Sequence, residues 1–466
     1  MHLTQSFLPL LHEFAHVFTQ PSHVTFVALM TGWLWSHRRR FVTELIQASG
    51  CTRTGHHSRY HRFFSHAAWC LDTLCWALAR LLVATFAPAG LIELAVDDTL
   101  GRKRGRTISG TGMHYDPLLS SRALKVVSWG HDWVVLCLVV RWCPWAPTKV
   151  WCLPLLCRLY RNCQGLTQGK KAQGKKAQGK GLSRRARRPA DPNHRTRPEL
   201  AREMIQLVAS WFPHRQFVVS GDSAYGGQSV RQYLPASIDL LSRVAPNAAL
   251  DAPARKPLPG QLVFGRPRKK GARLPGMAAW AADWTQHGEV LDFDRFGLPA
   301  TLGVKTIQAL YYKAGKDRLL TIVLVRDPEG QRPDQMFYWT RLDWDARQIL
   351  SCYANRWAIE VTFANCKQLL GLEDPANRRP RAVARTAALA LVLYSLIVVW
   401  FPRVGHTWVR FPDRPWYPHK EEPSFADRLS TLRRRSWEDL FVGGLPEGTP
   451  GQKVLARIID LVSRSG

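Results

Sequence analysis

Acidic residues are scarce in this chain, with 35 Asp and Glu against 65 Lys and Arg over 466 residues, a net charge of +30. An imbalance of that size excludes a cationic partner and points to a polyanion, with nucleic acid as the default. A ribosome-like structural protein or a membrane-surface binder would carry similar charge. Such proteins are usually shorter or poorer in aromatics than a chain with 19 Trp and 19 Phe. Paired cysteines are also missing. None of the ten cysteines (51, 70, 75, 137, 143, 152, 157, 163, 352 and 366) forms a CxxC pair, and many sit in apolar runs such as VVLCLVV and VWCLPLLC. This argues against zinc fingers and a disulfide framework, and for reduced core cysteines of a cytoplasmic protein. No apolar run is long. The longest, Ala387 to Phe401, has about 15 residues where a membrane span needs about 20, so a buried helix is expected and no membrane partner. The first residues, MHLTQSFLPLLHEF, lack the basic, apolar and cleavage-site order of a signal peptide.

Hydrophobic residues make up 46% of the chain, enough for two or three domains with full cores. Residues 1–88 read as helical, from the apolar periodicity of FLPLLHEFAHVF, FVALMTGWLW and LDTLCWALARLLVATF. Two basic clusters interrupt them, His37 to Arg40 and Thr52 to Trp69. Bases interleaved with aromatics on a small helical unit predict a DNA-binding module, with Arg59, His61 and Arg62 as contacts; the plainer reading is a scaffold with a solvated basic face. From Gly90 the texture becomes that of strands: LIELAVDD, HDWVVLCLVVRW and KVWCLPLLCRLY, the last two predicting an antiparallel start to a sheet. Residues 164–197, with GKKAQGKKAQGK and SRRARRP, cannot bury a core and predict a disordered basic insert. A helix is expected from about Pro198 to Phe212, then the strands RQFVVSGD and IDLLSRV. A Pro-, Gly- and base-rich stretch and β-rich segments fill about 246–340.

The most informative segment is SCYANRWAIEVTFANCKQLLG. No proline or glycine interrupts it before its final residue, so it predicts one helix. At about 100° per residue, Tyr353, Arg356, Glu360 and Lys367 fall within an arc of about 60°. Apolar side chains flank that strip, Trp357 and Val361 on one side and Ile359, Phe363 and Leu370 on the other. A solvated face lies opposite an apolar one; a charged strip between apolar flanks predicts the wall of a cleft.

Three acids share a second pattern. Asp97 or Asp98 ends the strand LIELAVDD, Asp222 ends QFVVSGD, and Glu360 lies on the helix. Carboxylates at two strand ends, joined by one from a facing helix, suit two Mg²⁺ or Mn²⁺ ions acting on a phosphodiester. Each acid alone has a bland reading: an N-cap or turn at Asp-Asp-Thr, an Asx turn at GDSAYGG, a salt bridge at Glu360. Their ordered combination favours the catalytic one.

On these residues the chain resembles the DDE transposases of bacterial insertion sequences, in the branch with a Tyr-x2-Arg-x3-Glu-x6-Lys signature. YANRWAIEVTFANCK fits without a gap, and VDDT, GDSAYGG and HHSRYHRFFSHAAW extend the likeness over about residues 50 to 402. The resemblance implies an α/β, RNase H-like mixed-sheet core over 89–245 and 341–402. It further implies a β-rich insertion at 246–340; the helical DNA-binding domain read at 1–88 precedes this core, and residues 403–466 match nothing that gives them a role. It implies that Asp97, Asp222 and Glu360 bind two Mg²⁺ (or Mn²⁺) ions and catalyse cleavage at transposon ends and strand transfer. Tyr353, Arg356 and Lys367 would contact phosphates near the cut, with Lys103 and Arg104 as further backbone contacts. The Asp-x-Thr form favours Asp97 as first ligand; Asp98 is the alternative, because successive strand residues face opposite sides. The implied partners are terminal inverted repeats and target DNA, with a homodimer formed on paired ends of a nucleoid-associated protein. Two competing readings remain, a catalytically silent DNA-binding derivative and another RNase H-like nuclease.

Overall fold

The structure, a computed structural model, describes residues 5–53, 55–121, 123–162, 194–254, 268–283, 288–295, 298–316, 318–412, 415, 418–441 and 449–464. Most of the expected basic insert at 164–197 and part of the Pro- and Gly-rich stretch lie outside these residues.

The described strands are β1 (Ile92–Arg102), β2 (Gly112–Tyr115), β3 (Val127–Val140), β4 (Trp151–Tyr160), β5 (Phe217–Gly221), β6 (Ile238–Val244), β7 (Leu250–Asp251), β8 (Glu289–Arg295), β9 (Leu298–Tyr311), β10 (Leu319–Arg326) and β11 (Gln335–Trp339). All belong to one mixed sheet in the order β2-β3-β1-β5-β6-β11-β10-β9-β7, with β4 paired to β3 and β8 to β9. Only β1–β5 and β5–β6 are parallel; every other pairing is antiparallel. The expected antiparallel start is the β3–β4 pair. Pro154 sits in β4, whose one partner among the described strands is β3, beside a register shift at Leu136/Cys137 where the ladder is already interrupted. The β-rich stretch after residue 288 does not form a sheet of its own. It continues the central sheet through β6 and β11, with Val244 opposite Met336.

Helices cover both faces, which is why β3 is buried from Gly130 to Val140. The helix Arg197–Trp211 packs on β3 and β4. It starts where the sequence expects, fixed by a capping box in which Thr196 and Glu199 satisfy each other's backbone N–H, with Pro198 in the first turn. The helix Ala346–Asn355 lies against β5 and β6, and Ala358–Gln368 against β1 and β4.

The long apolar helix is Pro380–Arg403. By length and composition it could cross a membrane, yet 94% of its most apolar window is buried inside the protein. Two arginines tie the chain ends to it. Arg385 donates to the carbonyls of Phe63, Phe64, Ala67 and Trp69 and stacks on the Trp69 ring at 3.9 Å. Arg428, from the helix Phe425–Phe441, is wedged between Trp151 and Phe401 at 4.0 and 4.7 Å. Side chains from Phe7 to Leu432 consequently share one hydrophobic cluster. The nine described cysteines are free, all buried except Cys70.

Candidate active site

The parallel β1–β5 ladder ends at Val96 opposite Gly221, so Asp97 and Asp222 follow at the same level. In-register residues of parallel strands project from the same face, which sets these two carboxylates side by side. Asp97 Oδ1 accepts the Asp98 N–H at 2.9 Å, and its Oδ2 accepts from Arg356 at 2.5 Å. Burial pushes the Asp97 pKa up to about 7; Arg356 opposes the rise, and Asp222 and Asp98 add to it. Asp222 closes a turn, accepting the Ala224 N–H at 2.8 Å, so the Asx turn expected as the bland reading is present as well. Its own carbonyl accepts the Ser242 hydroxyl at 2.7 Å.

Strand alternation separates the aspartate doublet. Asp98 accepts the Tyr225 hydroxyl at 2.7 Å and lies 3.6 Å from Arg197, on the face carrying the helix Arg197–Trp211. Arg197 also donates to Asp132 of β3 at 2.7 Å. Asp97 thus faces Arg356, while Asp98 is held in a polar network on the other side.

The uninterrupted helix expected over the signature segment is replaced by two helices, with a break at Arg356–Trp357. The backbone there switches to bonds three residues apart: Arg356 N–H to Tyr353, Trp357 to Ala354, Ile359 to Arg356 and Glu360 to Trp357. This tighter turn rotates the chain more per residue than an α-helix does, so the positions after Arg356 are shifted from those expected at a uniform α-helical period, while Tyr353 and Glu360 remain within electrostatic reach of Arg356. Arg356 turns inward and is 9% exposed. Its guanidinium lies over the Tyr353 ring at 5.3 Å, and Tyr353 in turn packs on Phe337 at 4.5 Å. Glu360 stays at the surface in the first turn of Ala358–Gln368, its pKa raised by partial desolvation and lowered by Arg356. Of the expected flanks, Ile359, Phe363 and Leu370 are buried, but Trp357 and Val361 are exposed.

The other predicted contacts divide. Lys367 donates to the Leu100 carbonyl at 2.7 Å and pairs with Glu373 at 3.2 Å, so it is tied to β1. Lys103, expected at a phosphate, instead donates to the carbonyls of Glu373 and, at 2.8 Å, Pro375. Burial lowers its pKa to about 8. Arg104 is exposed. On the helix Ser58–Ser65, Tyr60, Phe63 and Phe64 are buried while His61 and Arg62 face solvent. Arg59 is anchored to Thr25 at 2.8 Å and to the Pro21 carbonyl at 3.1 Å.

Among the described residues, no group of three or more His, Cys, Asp or Glu is gathered closely enough to hold a metal ion. The chemistry of the pair still fits a hard divalent cation. Two carboxylates stand side by side, the buried one with a raised pKa, and the Arg356 guanidinium is drawn within electrostatic reach of Asp97, Asp222 and Glu360 as their counter-charge.

Sequence reasoning missed Tyr225, Arg197 and Asp132, which hold Asp98, and Ser242, which holds the turn at Asp222. Tyr225 was visible within GDSAYGG; the other three carried no local signal.

Residues 13–295 match the family described as DDE superfamily endonuclease. No curated protein matches the chain. A solved structure with some likeness is the cryo-EM structure of a piggyBac transposase synaptic complex with hairpin DNA. It is 10% identical, with 95% of this chain and 76% of that one covered and a TM-score of 0.39.

Proposed function

We propose, for a chain that belongs to the DDE superfamily endonuclease family, that it is a DNA transposase cleaving transposon ends and transferring them into target DNA. The observation that carries this reading is the level placement of Asp97 and Asp222 beyond the last paired position of parallel β1 and β5, with the Arg356 cation set against them. Pairing β4-β3-β1-β5-β6, in which β3 runs against the other four, supports an RNase H-like core. Asp97, Asp222 and Glu360 would hold the divalent ions, Mg²⁺ or Mn²⁺, which supply Lewis-acid activation of the attacking and leaving oxygens.

The chain's own groups have distinct tasks in this proposal. Arg356 neutralises Asp97 in the DNA-free protein and, on exchange of that partner, presents a planar fork to a backbone phosphate. Tyr353 supports the guanidinium from below. Lys367 fixes the second helix, which carries Glu360, to β1. Exposed His61 and Arg62, with Arg104, offer the duplex a basic surface, and pairing of two ends would bring two copies together on the DNA of a bacterial nucleoid.

The test is purified protein on DNA carrying the inverted repeats that flank its coding region. Wild type should cleave with Mg²⁺ or Mn²⁺, and Asp222→Asn and Glu360→Gln should bind without cleaving. Full cleavage by both variants would falsify the assignment. Binding without cleavage by wild type would return the silent derivative, and preference for branched DNA the repair-type nuclease.

A further inference from the structure

Nothing in the backbone ladder holds Asp97 to Asp222. The β1–β5 pairing stops at Val96–Gly221, one residue short of both acids, while β1 remains paired to β3 on its other side. Beyond that point parallel strands are free to diverge. The first cross-link past the end of the ladder is a side-chain one. Tyr225 turns back tightly after Asp222, its N–H on the Asp222 carbonyl at 3.1 Å, and its hydroxyl reaches Asp98 at 2.7 Å. The ring is fully buried.

Both ends of this link are braced. Asp98 is held from the far side by Arg197, which Asp132 of β3 anchors in turn. The turn carrying Asp222 is held by Ser242 on the Asp222 carbonyl at 2.7 Å and by Tyr338 on the Gly226 carbonyl at 2.6 Å. Gly226 is required for that closeness, since a Cβ there would stand 2.3 Å from the Ser242 hydroxyl. Tyr225 therefore joins two rigid anchors, one next to each acid of the pair.

We infer that Tyr225 and Asp98 form a cross-strand strap that sets the separation of Asp97 and Asp222, making both positioning residues that select between divalent ions. The inference rests on the reading of Asp97 and Asp222 as metal ligands. Mg²⁺ is small, demands near-ideal octahedral geometry and dehydrates reluctantly. Mn²⁺ is larger and tolerates a distorted site. Loosening the strap should thus penalise Mg²⁺ more than Mn²⁺, an effect that general loss of packing would not produce.

The experiment is Mn²⁺ binding to the DNA-free protein followed by electron paramagnetic resonance, with Mg²⁺ as competitor, and melting temperature as a control for folding. Tyr225→Phe keeps the ring and deletes the hydroxyl. It should weaken Mg²⁺ competition about 10-fold or more, in the range seen when outer-shell partners of metal ligands are removed, while Mn²⁺ affinity falls about 3-fold or less. Asp98→Asn retains an oxygen that can accept from Tyr225 and should stay near wild type. Asp98→Ala should reproduce Tyr225→Phe, and the double variant should be no worse than either single, because one link is being cut. An unchanged Mg²⁺/Mn²⁺ ratio in folded Tyr225→Phe, or additive losses in the double variant, would overturn the strap alone. Wild type binding no Mn²⁺, or Asp222→Asn binding it as wild type does, would overturn the metal-site reading beneath it.

Discussion

Arg356→Gln is the most telling perturbation of the site. It removes the cation that Asp97 faces at 2.5 Å, in a pair whose side chains are only 11% and 17% exposed. Removing one partner of a buried pair costs about 3–5 kcal/mol, because the other charge is left uncompensated. Residual water at Asp97 places this case near 3 kcal/mol, the low end of that range. Asp97 can relieve the cost by taking up a proton, and its pKa near 7 makes that easy. The loss should thus be larger at pH 8 than at pH 6. A divalent ion on the same carboxylates offers a second remedy. At 100 times its dissociation constant, a bound ligand stabilises the folded state by about 2.7 kcal/mol. Urea unfolding in EDTA and in saturating Mn²⁺ measures both effects. The variant should be about 3 kcal/mol less stable than wild type in EDTA and should gain more than wild type from saturating Mn²⁺, because only in wild type must the ion displace Arg356 from Asp97. An equal deficit in both buffers, or a deficit below about 0.5 kcal/mol in EDTA, would refute the view of Arg356 as the counter-charge of a cation site.

Other outcomes follow from the same geometry. A carboxyl with its folded pKa raised to about 7 binds more protons folded than unfolded, so metal-free stability should decline between about pH 4 and pH 7; Asp97→Asn should flatten that slope in urea titrations. Lys103→Met strips the donor from two carbonyls and should lower the melting temperature, at a cost of about 1–3 kcal/mol, whereas Arg104→Ala should leave it unchanged. His61→Ala with Arg62→Ala should weaken DNA binding across sequences and reduce its salt dependence by about one charge, without affecting stability. Arg385→Ala leaves four carbonyls of the Phe63–Trp69 segment without their donor and should cost at least about 3 kcal/mol in denaturant unfolding.

The strands around the acids were legible because their apolar runs are long and bounded by turn residues. The helix Arg197–Trp211 was legible because Thr196, Pro198 and Glu199 spell out its start. The order of the acids along the chain was readable too; their spatial pairing was not, since it depends on the β1–β5 register across more than a hundred residues. The break at Arg356–Trp357 escaped because neither residue is a helix breaker; the turn tightens through three-residue backbone bonds while Arg356 finds Asp97. Lys103 escaped for a similar reason. Its partners are the carbonyls of Glu373 and Pro375, remote in sequence, and a basic loop residue reads as solvated until those carbonyls are placed. The doublet could not be divided by alternation alone; the Tyr225 hydroxyl and Arg197 on one side, and Arg356 on the other, divide it.

We propose that Asp97, Asp222 and Glu360 act together on a phosphodiester, while Asp98, bonded to Tyr225, positions the two aspartates. Cleavage of inverted-repeat DNA in Mg²⁺ or Mn²⁺, run side by side for the four single amide variants, tests it most directly. Product is expected from wild type and from Asp98→Asn, and none from Asp97→Asn, Asp222→Asn or Glu360→Gln despite retained DNA binding. Loss of cleavage in Asp98→Asn with activity preserved in Asp97→Asn would contradict it.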